Sequence, residues 1–471
     1  MRELPVAVIG AGPVGLAAAA HLIDRGIAVK VYEAGDAVAA NMRDWGHVRL
    51  FSPWRYNIDP AARLLLKQAG WQEPDAEAYP TGADLVTDYL DPMSKTPELA
   101  SAIELRACVT AIGRRGIDKA ASRDRALHPF VLTITDREGN SRRDLASAVI
   151  DASGTWTSPN PLGSDGFPAH GETTFADRIA YGIPDVLGHK RSDYGGRTTL
   201  VLGAGHSAAN VLLDLQTLAD QDPATTAIWV TRGKDLSRVY GGGENDQLAG
   251  RGDLGHRLRQ EIETGRITLI SGFAVKAISE ENGRLHVEGH VAGGTRILGP
   301  VDRIVACTGQ RPDLALTREL RVELDTWLES VKALGPMIDP NLHSCGTVPP
   351  HGHRELSHPE PGFYTVGIKS YGRAPTFLML TGYEQVRSVV AAIAGDMAAA
   401  DDVRLVLPET GVCSAAPSTA SGCCDGPAPI EMASCCAADA VAKASGQAGC
   451  GCAAEPPEPA PVASACCGSP A

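Results

Sequence analysis

Two glycine clusters in this chain have the residue types and spacing to hold phosphate. The first is Gly10-Ala-Gly12-Pro-Val-Gly15 and the second is Gly203-Ala-Gly205-His-Ser-Ala208. In G-x-G-x-x-G the first glycine allows a tight turn and the second lets the backbone approach a pyrophosphate. The third lets a helix pack closely on a strand, a task that Ala also fills. A helix opening at that point offers free N–H groups and the positive end of its dipole to the anion. Glu33 stands 18 residues after Gly15 and can accept bonds from a ribose hydroxyl. The second cluster has no acid in that place; Arg232 ends the matching apolar run and Lys234 lies just beyond. Guanidinium and ammonium groups there suit a ribose 2′-phosphate and so favour NADPH over NADH. A solvated strand end is the alternative for Arg232 taken alone.

The glycines mean this only between a strand and a helix, and the flanking residues supply both. Val6, Val8 and Ile9 read as a short buried strand, Leu16 to Ile23 as an Ala-rich helix, and Val29 to Glu33 as a second strand ending in the acid. Thr198 to Leu202, a helix to about Leu218, and Ala227 to Arg232 repeat the order. An α/β chain with two Rossmann-like dinucleotide-binding domains follows. Residues 1–160 and 311–405 are expected to form the domain of the first nucleotide, and 161–310 the inserted domain of the second. Other apolar runs predict strands at Ile103–Ile112, Phe130–Thr135, Ala148–Asp151, Ile267–Ile278 and Leu285–His290. Helices are predicted over Thr81–Tyr89 and from Pro375 or Thr376 to Ala394. The strand ending in Ala152-Ser153-Gly154, the Cys307-Thr308-Gly309 crossing and the Gly367 loop should border the first nucleotide. So should the start of the last helix at Thr376. Phe51, Ser52, Pro53 and Trp54, in the Trp- and Arg-rich run after the second strand, are further candidates to border that nucleotide. A surface loop anchored by its aromatics is the other reading of that run.

The chain has 471 residues, 44% hydrophobic and 21% charged, enough for a large core and about three domains. A net charge of −13 argues against nucleic acid and anionic membrane surfaces as partners. No apolar run approaches a membrane span, and no basic leader precedes the first strand, so the cytoplasm is expected. Nine of the twelve cysteines lie beyond residue 405, among them the adjacent pairs Cys423–Cys424, Cys435–Cys436 and Cys466–Cys467. That stretch, 406–471, lacks aromatics and is rich in Pro, Ala, Gly and Ser, which predicts a disordered tail. Adjacent thiolates chelate thiophilic ions, so the tail is a candidate binder of a metalloid or soft metal. A low-complexity tail without a defined ligand is the bland reading. Cys307 reads as a small core residue. His343, His351, His353 and His358 read as surface loop residues without a role.

With both fingerprints, Asp151-Ala-Ser-Gly-Thr-Trp156 and Cys307-Thr-Gly-Gln-Arg-Pro312 in place, residues 1–400 resemble the flavin-containing monooxygenase and thioredoxin-reductase-like superfamily. The run Trp45-Gly-His-Val-Arg-Leu-Phe-Ser-Pro-Trp54 and the Cys-rich end are similar to the flavin monooxygenases encoded beside arsenic-resistance genes. The resemblance implies FAD at the first site and NADPH at the second, with hydride passing between the rings. Reduced flavin would then react with molecular oxygen and oxidise a small-molecule or metalloid substrate at sulfur, nitrogen or trivalent arsenic. Such chemistry is the cofactor's, and no catalytic side chain stands out. Phe51, Trp54 and the Thr376 loop are expected to exclude water. The F-x-G-x-x-x-H linker of these monooxygenases is matched only loosely, by Gly166-Phe-Pro-Ala-His-Gly-Glu172. No C-x-x-C or C-x-x-x-x-C pair occurs in residues 1–400. A reductase working through the tail dithiols, and an FAD-holding metalloid-binding protein without turnover, stay open, as does a homodimer.

Overall fold

Val6–Ile9 is buried at every position, and a strand covered on both faces reads as an unbroken apolar run. It pairs in parallel with Val29–Tyr32 on one side and with Ala148–Asp151 on the other. Ile103–Glu104 and Phe363–Thr365 complete this five-stranded sheet at its two edges. The computed structural model describes residues 4–343 and 348–408. Helix Pro13–Asp24 starts on a proline, where a missing N–H costs nothing, and buries Ala17 to Ala20 against the sheet and helix Met379–Ile393.

A second five-stranded sheet is also parallel throughout. Its order is Ile267–Ser271, Thr226–Thr231, Thr198–Leu202, Arg303–Ala306 and Ile179–Tyr181. The chain leaves the first sheet after Asp151, builds the second, and returns with Phe363–Thr365. Two three-stranded antiparallel sheets accompany them: Cys108–Arg114, Phe130–Thr135 and Ser141–Ala146, and Ala274–Glu281, Arg284–Val291 and Gly294–Val301. The α/β class with two Rossmann-like units is therefore the architecture of the described residues.

Several elements differ from expectation. The run Ile103–Ile112 is two strands in different sheets, broken at Arg106, whose φ of +57° turns the chain. Ile267–Ile278 is likewise split, at Gly272. Ser141–Ala146 and Gly294–Val301 were not expected as strands because both are largely exposed and lack an apolar alternation. The helix over Thr81–Tyr89 is α-helical only at Gly82–Leu85, held by a capping box of Thr81 and Asp84, and continues as a π turn. The last long helix begins at Met379, not at Pro375 or Thr376. Among the described residues no helix is long and apolar enough to cross a membrane. The tail from residue 409 on, with Cys423, Cys424, Cys435, Cys436, Cys466 and Cys467, lies outside the described residues.

Candidate functional site

The two fingerprints divide their labour in the same way. Gly10 has φ +94°, and a Cβ there would lie 2.8 Å from the Ala152 carbonyl oxygen. Gly203 has φ +132°, and a Cβ there would lie 2.2 Å from the Cys307 carbonyl oxygen. Only glycine fits either place. At Gly15 a Cβ would fall 2.0 Å from the Gly10 carbonyl oxygen, whereas Ala208 fills the matching position fully buried. The middle glycines are different: a Cβ at Gly12 or Gly205 meets no atom within 4 Å. No contact within the protein requires glycine there.

Gly12 borders a cavity of about 880 Å³, within the roughly 300–1,000 Å³ usual for cofactor and ligand sites. Gly10, Glu33, Phe51, Ser52, Ser153, Gly154 and Gly367 line it. Glu33 also ties the glycine loop to the second strand: one carboxylate oxygen accepts from the Ala11 amide at 2.7 Å, the other from Gly35 at 2.8 Å. From the second unit, His206, Ser207 and Asn210 line the same cavity. Both fingerprint helices therefore begin at one space.

Other expected contacts lie elsewhere. Trp54 is buried in the core of the first unit and is not among the lining residues. Trp45 and Trp156 line the cavity instead, with their ring centroids 6.5 Å apart. Thr376 is buried behind the wall, which Phe377, Leu378 and Met379 form instead. Thr308 lies outside the cavity and donates to the Asn160 carbonyl at 2.6 Å, fastening the crossover between units. Gly15, Gly203, Gly205 and Ala208 are not among the residues that line the cavity. Arg232 is exposed at the end of its strand, with Ser164 O 3.5 Å away. Cys307 is a buried core thiol, as expected, and burial pushes it up to about 12.

Three of the four histidines before the last helix are buried rather than surface residues, and only His343 is partly exposed. His351 is enclosed beside Gln385 and Tyr371, His353 lies 2.8 Å from Asp401, and His358 meets Thr365. Burial holds His351 and His358 below the ordinary imidazole range. They support the Gly367 strand and loop from behind. Gln385 accepts the Gly367 amide at 2.8 Å.

Sequence reasoning missed two ionisable features of the wall. Lys369 reaches Asp151 at 2.8 Å and Ser153 Oγ at 2.9 Å, and the ion pair is almost completely enclosed. Lys369 and Ser153 face the cavity, with Asp151 behind them. His206 opens the second fingerprint helix, its ring 5.3 Å from Phe51. The only signal for His206 was its place directly after Gly205. For Lys369 there was none.

Residues 8–71 match the family model of the NAD(P)-binding Rossmann-like domain. Comparison with solved structures extends the likeness over most of the chain. The bacillithiol disulfide reductase of Bacillus cereus is 17% identical, with TM-score 0.62, over 84% of this chain and 99% of that one. The ornithine N-hydroxylase of Kutzneria sp. 744, in a complex with reduced FAD, NADP+ and L-ornithine, is 14% identical, with TM-score 0.55, over 83% and 99%. A flavin-containing monooxygenase from Stenotrophomonas maltophilia is 20% identical, with TM-score 0.51, over 83% and 100%. The chain shares its fold with these three structures. The sequence matches no curated protein. Among the described residues no group of three or more His, Cys, Asp or Glu side chains is placed to hold a metal ion.

Proposed function

We propose that the chain is an FAD- and NADPH-dependent oxidoreductase, a monooxygenase acting on a soft nucleophilic atom. The observation that carries the reading is the shared cavity, reached by the starts of both fingerprint helices. The residues fit the two nucleotides: Gly12 and Gly205 leave open the space that a Cβ would take, at the two helix starts suited to pyrophosphate. Glu33 borders the ribose of the first nucleotide, and Phe51, Ser52, Ser153, Gly154 and Gly367 enclose its remainder. Arg232 takes the 2′-phosphate of the second. FAD, when bound, accepts hydride from NADPH and activates oxygen.

The chain's own part is to hold, orient and keep dry. Phe51, Trp45, Trp156 and Phe377 give the wall its apolar faces, and Lys369 supplies a fixed cation whose charge Asp151 balances. Excluding water in this way strengthens every polar contact inside.

The substrate is a small molecule or a metalloid with an oxidisable sulfur, nitrogen or trivalent arsenic, and the tail thiols collect a metalloid or soft metal. Their pairing and the likeness to arsenic-linked monooxygenases support this part. The likeness in fold to a disulfide reductase supports a second reading, in which tail dithiols carry electrons to a disulfide or metal ion. Cys108 is the lone thiol among the residues lining the cavity, which favours the first reading. An oxygen electrode separates the two. A monooxygenase consumes oxygen with NADPH when thiol, amine or arsenite is added. Turnover that proceeds equally well without oxygen refutes the proposal. Failure of the yellow FAD to bind, or of NADPH to bleach it, refutes the oxidoreductase reading as a whole.

A further inference from the structure

His206 carries an unused imidazole at the junction of the two units. It is the first residue of the 16-residue helix His206–Gln221 and lines the cavity. Its ring packs on Phe51, which lines the cavity from the first unit. Nε2 is shielded from solvent and has no hydrogen-bond partner among the described residues. A buried polar atom without a partner is costly, and a ligand that supplies one removes the cost. The position points the same way: this helix start, directly after Gly205, is where the fingerprint receives phosphate.

The charged neighbours come from one side. Arg251, on helix Ala249–Glu263, is clamped by Asp246 through two bonds of 2.7 Å. Burial, and then the Arg251 charge, push His206 down to about 4, with Asp246 opposing. The ring is therefore neutral near pH 7, with one nitrogen a donor and the other an acceptor. A phosphate beside it reverses the local field and favours the imidazolium, in which both nitrogens donate.

We propose that His206 positions NADPH by donating Nε2–H to a phosphate oxygen at the second fingerprint, and that the ring takes up a proton from solvent as the nucleotide binds. One N–H bond forms, no electrons move, and the proton returns to solvent on release. The proposal rests on the two-dinucleotide reading.

Calorimetry tests it on the FAD-loaded full chain, titrated with NADP+ or NAD+ in buffers of different ionisation enthalpy. NAD+ has no 2′-phosphate, so the wild type alone should show uptake of a fraction of a proton that grows as pH falls from about 8 to about 6. With NADP+ the 2′-phosphate titrates near pH 6 in every variant, and His206→Asn and His206→Gln provide the baseline. Relative to them the wild type should take up more proton. It should also bind about tenfold more tightly near pH 6, with the gap closing as pH rises. Equal proton counts in wild type and variants, or no uptake with NAD+, overturn the proposal and leave the two-dinucleotide reading intact. So does a loss of affinity of the same size at every pH, which a merely structural role would give. Absence of any nucleotide binding by the wild type overturns both.

Discussion

Replacing Gly12 by Ala should separate cofactor binding from folding. A Cβ at Gly12 meets no atom within 4 Å, and φ −79° with ψ −175° is backbone that any residue adopts. Removing glycine's freedom in the unfolded chain then stabilises the protein by about 0.4–1 kcal/mol. The same methyl group occupies the space through which the backbone is to meet a pyrophosphate. Overpacking of that kind costs about 1–3 kcal/mol, or roughly 5- to 150-fold in affinity for FAD. Gly205→Ala is the parallel case, with an equally open position and an extended φ of −114°. It should leave FAD content unchanged and weaken NADPH by a similar factor. Gly15→Ala is the contrast: its Cβ would lie 2.0 Å from the Gly10 carbonyl oxygen, so the helix must shift and stability must fall. Urea denaturation of the apoprotein gives the first quantity and quenching of FAD fluorescence the second. If Gly12→Ala binds FAD as tightly as the wild type, or unfolds at lower urea, the division of tasks among the three glycines is wrong.

Three further outcomes follow from single groups. Arg232→Ala should raise the KM for NADPH about tenfold, since one charge-assisted bond to phosphate is lost, and leave the KM for NADH unchanged. Lys369→Met should cost about 3–5 kcal/mol in denaturant unfolding, because Asp151 is left as a fully buried carboxylate without its cation; adding Asp151→Asn should recover most of that loss. Asp214, partly buried on helix His206–Gln221, is raised to about 6, by burial first and then by the Asp185 charge, with Arg257 opposing. An acid raised in the folded state adds stability that is complete below its unfolded value near 3.9 and is lost as pH rises through about 6. Asp214→Asn should therefore stabilise by about 1–3 kcal/mol at pH 8 and by little at pH 4, read from melting curves at both.

What the sequence disclosed and what it hid differ in physical kind. The glycine clusters were legible because their work is done by backbone within a few residues, and spacing records it directly. Ser153, Gly154 and Gly367 followed, since strand ends in such a sheet converge on its cofactor edge. Trp54 did not follow. An aromatic after a proline turn can face core or cavity, and here the short turn Trp54–Tyr56, tied through the Trp54 amide to Ala78, sends the ring inward. Lys369 and Asp151 stand far apart in the chain and meet only because the turn Gly367–Tyr371, which carries Lys369, follows strand Phe363–Thr365, the neighbour of Ala148–Asp151. No local pattern announces such a pair. The merged strands failed for a related reason, since apolar continuity carries no mark where one residue, Arg106, takes a positive φ and redirects the chain to another sheet.

The relation between the two units is the part of the site that neither fingerprint specifies. Each would hold a nucleotide at the carboxyl edge of its own sheet, wherever the other unit lay. The seam brings the two edges together. Gly250 on helix Ala249–Glu263 sits against Tyr79 and Phe51, where a Cβ would come within 3.0 Å and 3.3 Å. Thr155 donates to Gln310 at 3.1 Å, and Thr308 holds the Asn160 carbonyl. Most of these contacts use small or neutral polar groups, which pack closely without the desolvation penalty of a buried charge. The exception is Asp246 with Arg251, an enclosed pair beside Phe51 and His206. A buried pair adds little net stability yet penalises any arrangement that parts its members. Both its members belong to the second unit, so the pair does not choose the docking; the packing of Gly250 and His206 against Phe51 does, and it leaves the two helix starts at a single cavity.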